Sequence, residues 1–387
     1  MTISNPKRVD LTGRDRSATR RETALILRLC RDYLTQIAID YGGDSWMYQE
    51  STEIDSNVLL RLLRTNRLWT VAAAARGAAA TSLASVAESM AYGRQMATLL
   101  NTRALTTLRQ IVPLLLADGL KPIVLKGPLR QQQLFSTPFF RASTDLDLLV
   151  PRREFARATM VLRNRGFALG AGCDSFWWRT FLGEAHLLAG NTSLCEIDLH
   201  HRVQQPGSPG PRDIAEFTSA SDEQAIGSIT VPVLSASSAW LLSCISFVKA
   251  VIHREPAGAY AMEVAAAALA ANSDAVAAFE CDAIRQGLHS TALFAIGAAE
   301  VLFDLKLGVF ATARRPAVVH HHAIAELLLD PGSDGVDHLR RSRLLWQLCD
   351  GNSFVKPGVY ARELGWAGSS EMCRRILHDR APGPTEA

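Results

Sequence analysis

The spacing of apolar positions changes twice along the chain. Over residues 22–118 they recur every three to four positions, as in Ala24, Leu25, Leu27 and Leu29 and again in Leu59, Leu60, Leu62 and Leu63. That is the period of amphipathic helices. The Ala-rich run 69–100 holds no proline and continues the pattern, while a Gly-Gly turn interrupts it near 41–45. The period then shortens. Residues 122–125 are a short apolar run, 145–148 alternate before Leu149-Val150, and 185–189 and 194–200 are alternating runs joined by Gly190-Asn191-Thr192. These predict strands near 122–126, 144–150, 185–189 and 194–200. Helices are expected at 128–135 and 153–165, the second stopping at Gly166. The Pro/Gly-rich segment 206–211 reads as a loop.

Beyond residue 235 the helical period returns, through Ala-rich segments at 257–280 and 288–306. The first 22 residues are rich in Arg, Ser, Thr and Asp and read as a disordered tail. The expected fold class is therefore α+β: a small mixed-sheet core over 119–234, flanked by helical regions over 23–118 and 235–387.

One stretch challenges that division. Residues 229–248 carry no charge, which is long enough to span a membrane. Pro232, five serines and the immediately following Lys249 and His253 favour a different reading. A strand over 229–234 running into a buried helix over about 236–252 accounts for it, and no membrane partner is expected.

Charge narrows the partners. With 41 basic against 38 acidic residues the net charge is +3, so any electrostatic function is local. No basic stripe with interleaved aromatics appears, which disfavours an extended nucleic-acid partner. The seven cysteines are scattered and never spaced C-x-x-C, which argues against a disulfide framework or a zinc ribbon. Reduced thiols and the absence of a secretory leader pattern point to the cytoplasm.

The chemistry concentrates in Asp145-Leu146-Asp147-Leu148. On a strand, Asp145 and Asp147 share one face while Leu146, Leu148 and Val150 point into the core. Two carboxylates side by side raise each other's cost of ionisation, and a divalent cation removes it. Hard oxygen ligands suit Mg2+ or Mn2+. An isolated D-x-D is equally what a solvent-facing strand with incidental acids looks like, so three neighbouring features matter. Upstream, Lys126-Gly127-Pro128 sits at a strand-to-helix junction, where a cationic side chain and helix-start amides make an anion site. Arg141 stands four residues before Asp145 and can brace a phosphate, pair with the aspartates, or form a structural salt bridge. Downstream, Glu196, Asp198 and His200 alternate with Cys195, Ile197 and Leu199. Asp198 there supplies the third carboxylate that two-metal phosphoryl transfer needs. Glu196, His200 and His186 are candidates to stand behind the carboxylates or touch substrate.

Taken together, I-V-L-K-G over 123–127, R-x-x-x-D-L-D-L-L-V over 141–150 and E-I-D-L-H over 196–200 resemble a little-characterised bacterial nucleotidyltransferase family of the polymerase-β superfamily. The resemblance covers about 120–300. It implies a metal-dependent enzyme that moves a nucleoside monophosphate from a nucleoside triphosphate such as ATP to a hydroxyl or phosphate acceptor. Asp145, Asp147 and Asp198 match the family's metal-binding, catalytic carboxylates. Lys126 and Gly127 occupy the place of its Gly-Ser phosphate loop, with Pro128 where the serine would stand.

The nucleotide-binding set expected is thus Lys126, Gly127 and Arg141. Lys126 is expected to act on the triphosphate and not on the metal, so its loss should leave magnesium affinity unchanged. Relief of like-charge repulsion should leave both Asp145→Asn and Asp147→Asn as stable as the parent or more so. The acceptor, whether a small molecule, a peptide or a protein, is not specified by any motif. Residues after Pro206 with Trp177, Trp178 and Arg179 are the candidate acceptor surface. Two other readings compete: a sugar-nucleotide-dependent transferase using D-x-D for its metal, and a non-catalytic nucleotide-binding regulatory module. His320-His321-His322 is assigned no role, because consecutive side chains do not converge on one ion.

Overall fold

The computed structural model describes residues 16–37, 54–75, 78–219, 221–310, 321–333, 336, 338, 340–351 and 354–378. Its centre is a seven-stranded mixed sheet. In chain order the strands are β1 (Ile123–Val124), β2 (Asp145–Leu149), β3 (Phe167–Leu169), β4 (Glu184–Ala189), β5 (Glu196–His200), β6 (Ser221–Ile226) and β7 (Ile229–Leu234). Across the sheet the order is β3-β4-β5-β2-β1-β7-β6. The β2–β5 and β1–β7 pairs are parallel and the others antiparallel. The predicted α+β architecture is what the chain adopts.

Leucine alternation sets the faces. Leu146, Leu148, Ile197 and Leu199 are fully buried, with Leu187, Val231 and Val233 extending the same layer. Helix Phe155–Asn164 adds Ala158 and Leu162 to this core, and helix Ala87–Ala117 adds Leu108, Ile111, Val112 and Leu115. That face is closed. The polar residues of β2, β4 and β5 therefore point to the opposite face, where the catalytic candidates lie.

A second core joins helices from both ends of the sequence. Ile26 and Leu34 of Arg16–Ile37 and Leu59 and Leu62 of Ser56–Thr65 share it with helices Ala236–His253, Gly258–Ala270 and His289–Phe303. The helix Arg16–Ile37 begins inside the segment expected as a tail. Glu22, buried completely, ties this helix to the one that follows: its Oε1 accepts the Asp55 amide at 2.8 Å. Residues 1–15 lie outside the described residues.

The uncharged stretch divides as the sequence predicted. Strand β7 ends at Leu234, Ser235 caps the next helix by accepting the Ser238 amide at 3.3 Å, and the helix runs Ala236–His253. It is long and apolar enough to cross a bilayer, but 78% of it is buried inside the fold. The apolar surface is used in packing against its neighbours.

One polar network fixes the segment that leads into β2. Asn101 is wholly buried on helix Ala87–Ala117 and donates to the carbonyls of Pro138 and Arg141. Its Oδ1 accepts the Ser143 amide at 2.8 Å. Gln131, on helix Pro128–Phe135, accepts the Arg141 amide at 3.0 Å and donates to Ser143 Oγ at 3.2 Å. A loop in this position would otherwise bury unpaired backbone groups. The network fixes Arg141 and Ser143 just ahead of β2, the central strand of the sheet.

Candidate active site

Pairing of β2, β4 and β5 brings the candidate residues together. Asp147 faces Asp198 in the parallel β2–β5 register, and His186 faces Asp198 in the antiparallel β4–β5 register. The three side chains thus form one row across three strands. In the flanking rows Asp145 faces Glu196, and Glu184 faces His200.

Each central aspartate carries an imidazole. His200 Nε2 lies 3.0 Å from Asp147 Oδ1, and its Nδ1 lies 3.5 Å from Glu184 Oε2. His186 Nδ1 bonds Asp198 Oδ1 at 2.6 Å, and its Nε2 lies 3.2 Å from Glu196 Oε2. Ligating atoms of Asp147, Asp198 and His200 all fall within 4.8 Å of one another. Two carboxylates and an imidazole at that spacing suit a divalent cation. His200, expected behind the carboxylates, stands among them. Asp145, two residues up β2 on the same face, lines the same cavity. Glu196 is nearly half exposed, at 46%, and reaches the row only through His186.

Lys126 lies two residues beyond the end of β1, whose ladder is prolonged by the Leu125 amide donating to the Asp147 carbonyl at 3.1 Å. Its ammonium lies 3.9 Å from Asp147 Oδ1. Gly127 turns the chain into helix Pro128–Phe135 at φ 93°, ψ −153°, a conformation that costs any residue with a Cβ. Pro128 takes the first helical position, where a missing N–H is harmless. The strand–Gly–helix junction expected from the sequence is therefore present, and the glycine is required by the turn itself.

Arg141 is buried and its guanidinium Nε pairs with Glu263 at 2.8 Å, above the Tyr260 ring at 5.6 Å. Of the readings open to it, the structure supplies the salt bridge, with Glu263 and not with an aspartate. It still lines the cavity and its charge still reaches Asp147.

The electrostatics separate the two aspartates of the D-x-D. Burial, then repulsion from Asp147 and Asp198, raises the Asp145 pKa. Burial opposes ionisation of Asp147 as well, but Lys126, the His200 hydrogen bond and Arg141 outweigh it and hold the pKa far below the usual carboxylate range. Burial is the largest influence on His200 and lowers its pKa, but the Asp147 hydrogen bond and charge, with Glu184 and Asp198, together raise it above the ordinary histidine value. His186 is raised likewise, against burial, by Asp198 and Glu196. Burial raises Glu184.

Asp145, Asp147, Asp198, His200, Glu184 and Lys126 line a cavity of about 230 Å³, whereas His186 and Glu196 stand outside its lining. Through Arg67, Arg141 and Thr144 it adjoins a groove of about 1000 Å³ along helix Ser56–Thr65 and the start of helix Ala87–Ala117. Through the segment 202–205 it adjoins a second pocket of about 620 Å³, closed on its far side by Trp366 of helix Val355–Cys373. A centre flanked by two pockets has room for two substrates.

Several participants were not found by sequence. Glu184 shares the face of His186, and a strand begun one residue earlier would have included it. Lys249 and Tyr260 reach the cavity from helices whose composition reads only as core. Trp177, half-buried, donates its indole N–H to Ser370 at 3.0 Å, which ties it to helix Val355–Cys373. Of the triple histidine, His320 and the side chains of His321 and His322 lie outside the described residues.

A carboxylate–imidazole cluster beside a glycine-initiated helix, on one face of a mixed sheet, defines a candidate phosphoryl-transfer centre. The family described as uncharacterised nucleotidyltransferase matches residues 52–304, and the chain belongs to it. The match takes in the whole sheet and the helices Ser56–Thr65 and Ala87–Ala117, reaching further toward the N-terminus than the motifs do. No curated protein and no solved structure matches the chain.

Proposed function

We propose that the protein is a metal-dependent nucleotidyltransferase of the polymerase-β type, moving a nucleoside monophosphate from a nucleoside triphosphate to a hydroxyl or phosphate acceptor. The observation that carries the reading is the row His186–Asp198–Asp147 across three paired strands, with Asp145 and His200 beside it. A cluster of acids is costly on a half-buried face unless positive charge joins it. Lys126 and two histidines supply part of that charge, and the donor set of Asp147, Asp198 and His200 fits a divalent ion.

Asp147 and Asp198, with Asp145 from the same strand face and His200 as a nitrogen donor, would hold Mg2+ or Mn2+, which when bound neutralises phosphate charge and lowers the acceptor's pKa. The chain's own groups do the rest. Lys126 and the turn at Gly127 face the triphosphate, and Arg141, anchored by Glu263, stiffens the wall beside it. Asp198 receives the proton of an acceptor hydroxyl, with His186 fixing its orientation. The acceptor oxygen then bonds to the α-phosphorus as the bond to the β-phosphate oxygen breaks, and pyrophosphate leaves.

The two flanking pockets give donor and acceptor separate approaches to that point. Incubation with Mg2+ and α-labelled triphosphates in a cell extract tests the reading. Label transfer with pyrophosphate release supports it. Nucleotide binding with no transfer or pyrophosphate release over a range of extracts would instead favour a regulatory module. A cytoplasmic setting, consistent with seven free cysteines, is part of the proposal.

A further inference from the structure

Lys249 lines the catalytic cavity from helix Ala236–His253, between the buried Val248 and Ala250. Three other cations of the cavity have partners within the protein, while Arg67 at its rim has no ion pair among the described residues. Lys126 has Asp147, Arg141 has Glu263, and the Arg202 guanidinium lies 5.0 Å from the Trp366 ring centroid. Among the described residues no carboxylate lies within ion-pair reach of Lys249, although Glu184, Asp147 and Glu255 attract it from further off. The strongest charge acting on it is that of Lys126, another ammonium lining the same cavity.

Two ammonium groups that face one cavity and repel each other make sense when an anion lies between them. A partly buried cation loses hydration without gaining a counterion, and the fold bears that cost. Burial and the Lys126 charge accordingly press the Lys249 pKa below its ordinary value. The carboxylates of the row do not resolve the conflict, since Lys126 and His200 already sit on Asp147. A ligand carrying several phosphoryl groups would supply charge to both lysines at once. A monophosphate offers one phosphoryl group, which the Lys126 side of the cavity accommodates alone.

Resting on the nucleotidyl-transfer reading, we propose that Lys249 binds the β- or γ-phosphate of the donor opposite Lys126, so that the site selects polyphosphates over monophosphates. The same contact would hold the pyrophosphate product until it departs.

The test uses the intact protein, Mg2+ and three probes: inorganic tripolyphosphate, ATP and AMP, titrated by calorimetry. In Lys249→Met, tripolyphosphate and ATP should bind about tenfold more weakly or worse, the scale of one hydrogen bond to a charged group. AMP affinity should change by less than about twofold, a difference too small to represent a lost charged contact. The metal-free thermal midpoint of the variant should equal or exceed that of the parent, and Lys249→Gln serves as a second variant should the methionine perturb folding. Unchanged tripolyphosphate affinity in a folded variant would remove Lys249 from the site and leave the nucleotidyl-transfer reading standing. Equal weakening for AMP would overturn the polyphosphate selectivity. Failure of the parent protein to bind either tripolyphosphate or ATP would overturn the nucleotidyl-transfer reading, and the role of Lys249 with it.

Discussion

Asp147 and Asp198 face each other in register on neighbouring parallel strands, and each is held by its own histidine, at 3.0 Å for His200 and 2.6 Å for His186. The carboxylates are therefore not a bare acidic pair. They are oriented before any metal arrives, and the same imidazoles partly neutralise them.

The two aspartates of the D-x-D motif consequently differ, and asparagine should separate them. Sequence alone suggested that both substitutions are neutral or stabilising. Asp145, with a pKa raised by burial and by its acidic neighbours, fits that expectation, and Asp145→Asn should raise the metal-free thermal midpoint. Asp147 does not fit it. Its charge is favoured by Lys126 and by the His200 hydrogen bond, so Asp147→Asn should destabilise the protein by about 1.5–3 kcal/mol, the range for hydrogen bonds to charged groups. Both variants should lose nucleotidyl transfer. Melting curves in chelator check the stability difference, and equal shifts in the same direction would contradict it.

The histidines predict a pH dependence with a definite sign. His200 and His186 both have pKa values raised above the ordinary histidine value of about 6.5. Their contribution is full below that ordinary value and disappears as pH rises through the raised ones. Asp147 contributes in the opposite sense: its stabilisation is present above the usual carboxylate range and is lost as pH falls through its depressed value. Metal-free protein should therefore gain stability from these two histidines at pH 6 relative to pH 8.5, a gain partly offset by His201 and His253, whose pKa values burial lowers. In melting curves, His200→Gln should shrink that gain and His200→Gln with His186→Gln should nearly abolish it. A double variant with the full parental slope would assign the effect elsewhere.

How much of this was legible depends on what alternates with what. In β2 and β5 acids alternate with leucine and isoleucine, so strand and functional face are visible together. In β6 the run Ser221-Asp222-Glu223-Gln224 has no apolar partner positions. It is an edge strand, paired on one side by β7, and such strands are commonly polar. The short β3 (Phe167–Leu169) was hidden behind the Gly166 stop signal. Lys249 escaped because a single charge in an apolar helix reads as the helix's polar edge. What brought it to the acids is the packing of Ala236–His253 over the sheet's polar face, a tertiary fact without local signature. The tie between Glu22 and Asp55 escaped for the same reason, since the two lie 33 residues apart.

Geometry also revises the expectation for Lys126. Its sequence position suggested a contact with the triphosphate alone, leaving metal affinity untouched by its loss. Yet the ammonium stands 3.9 Å from Asp147 Oδ1 and competes with any cation that this carboxylate binds. Lys126→Ala should weaken nucleotide binding by on the order of 1–3 kcal/mol. In the absence of nucleotide it should strengthen Mg2+ or Mn2+ binding, because an opposing positive charge has gone. Separate titrations of metal and nucleotide read the two effects. Unaltered metal affinity would mean that the Lys126–Asp147 contact does not persist in solution.

Asn101 reaches the site without touching it. Its side chain donates to two carbonyls of the segment before β2 and accepts the Ser143 amide, all of them shielded from water by helix Ala87–Ala117 and Gln131. Alanine leaves those groups unpaired where no solvent replaces the bonds, at about 1–3 kcal/mol for each stranded group. Asn101→Ala should therefore cost on the order of 2–4 kcal/mol in denaturant unfolding, far above an ordinary surface change. The damage should also be local. Hydrogen exchange in a peptide covering 138–145 should accelerate relative to a peptide from β4, because the Ser143 amide has lost its acceptor. Asn101→Asp keeps an oxygen for that amide but gives up both donors, so it should preserve Ser143 protection while still lowering stability. If Ser143 remains as protected in the alanine variant as in the parent, the loop is held by Gln131 alone and Asn101 has no part in positioning Arg141.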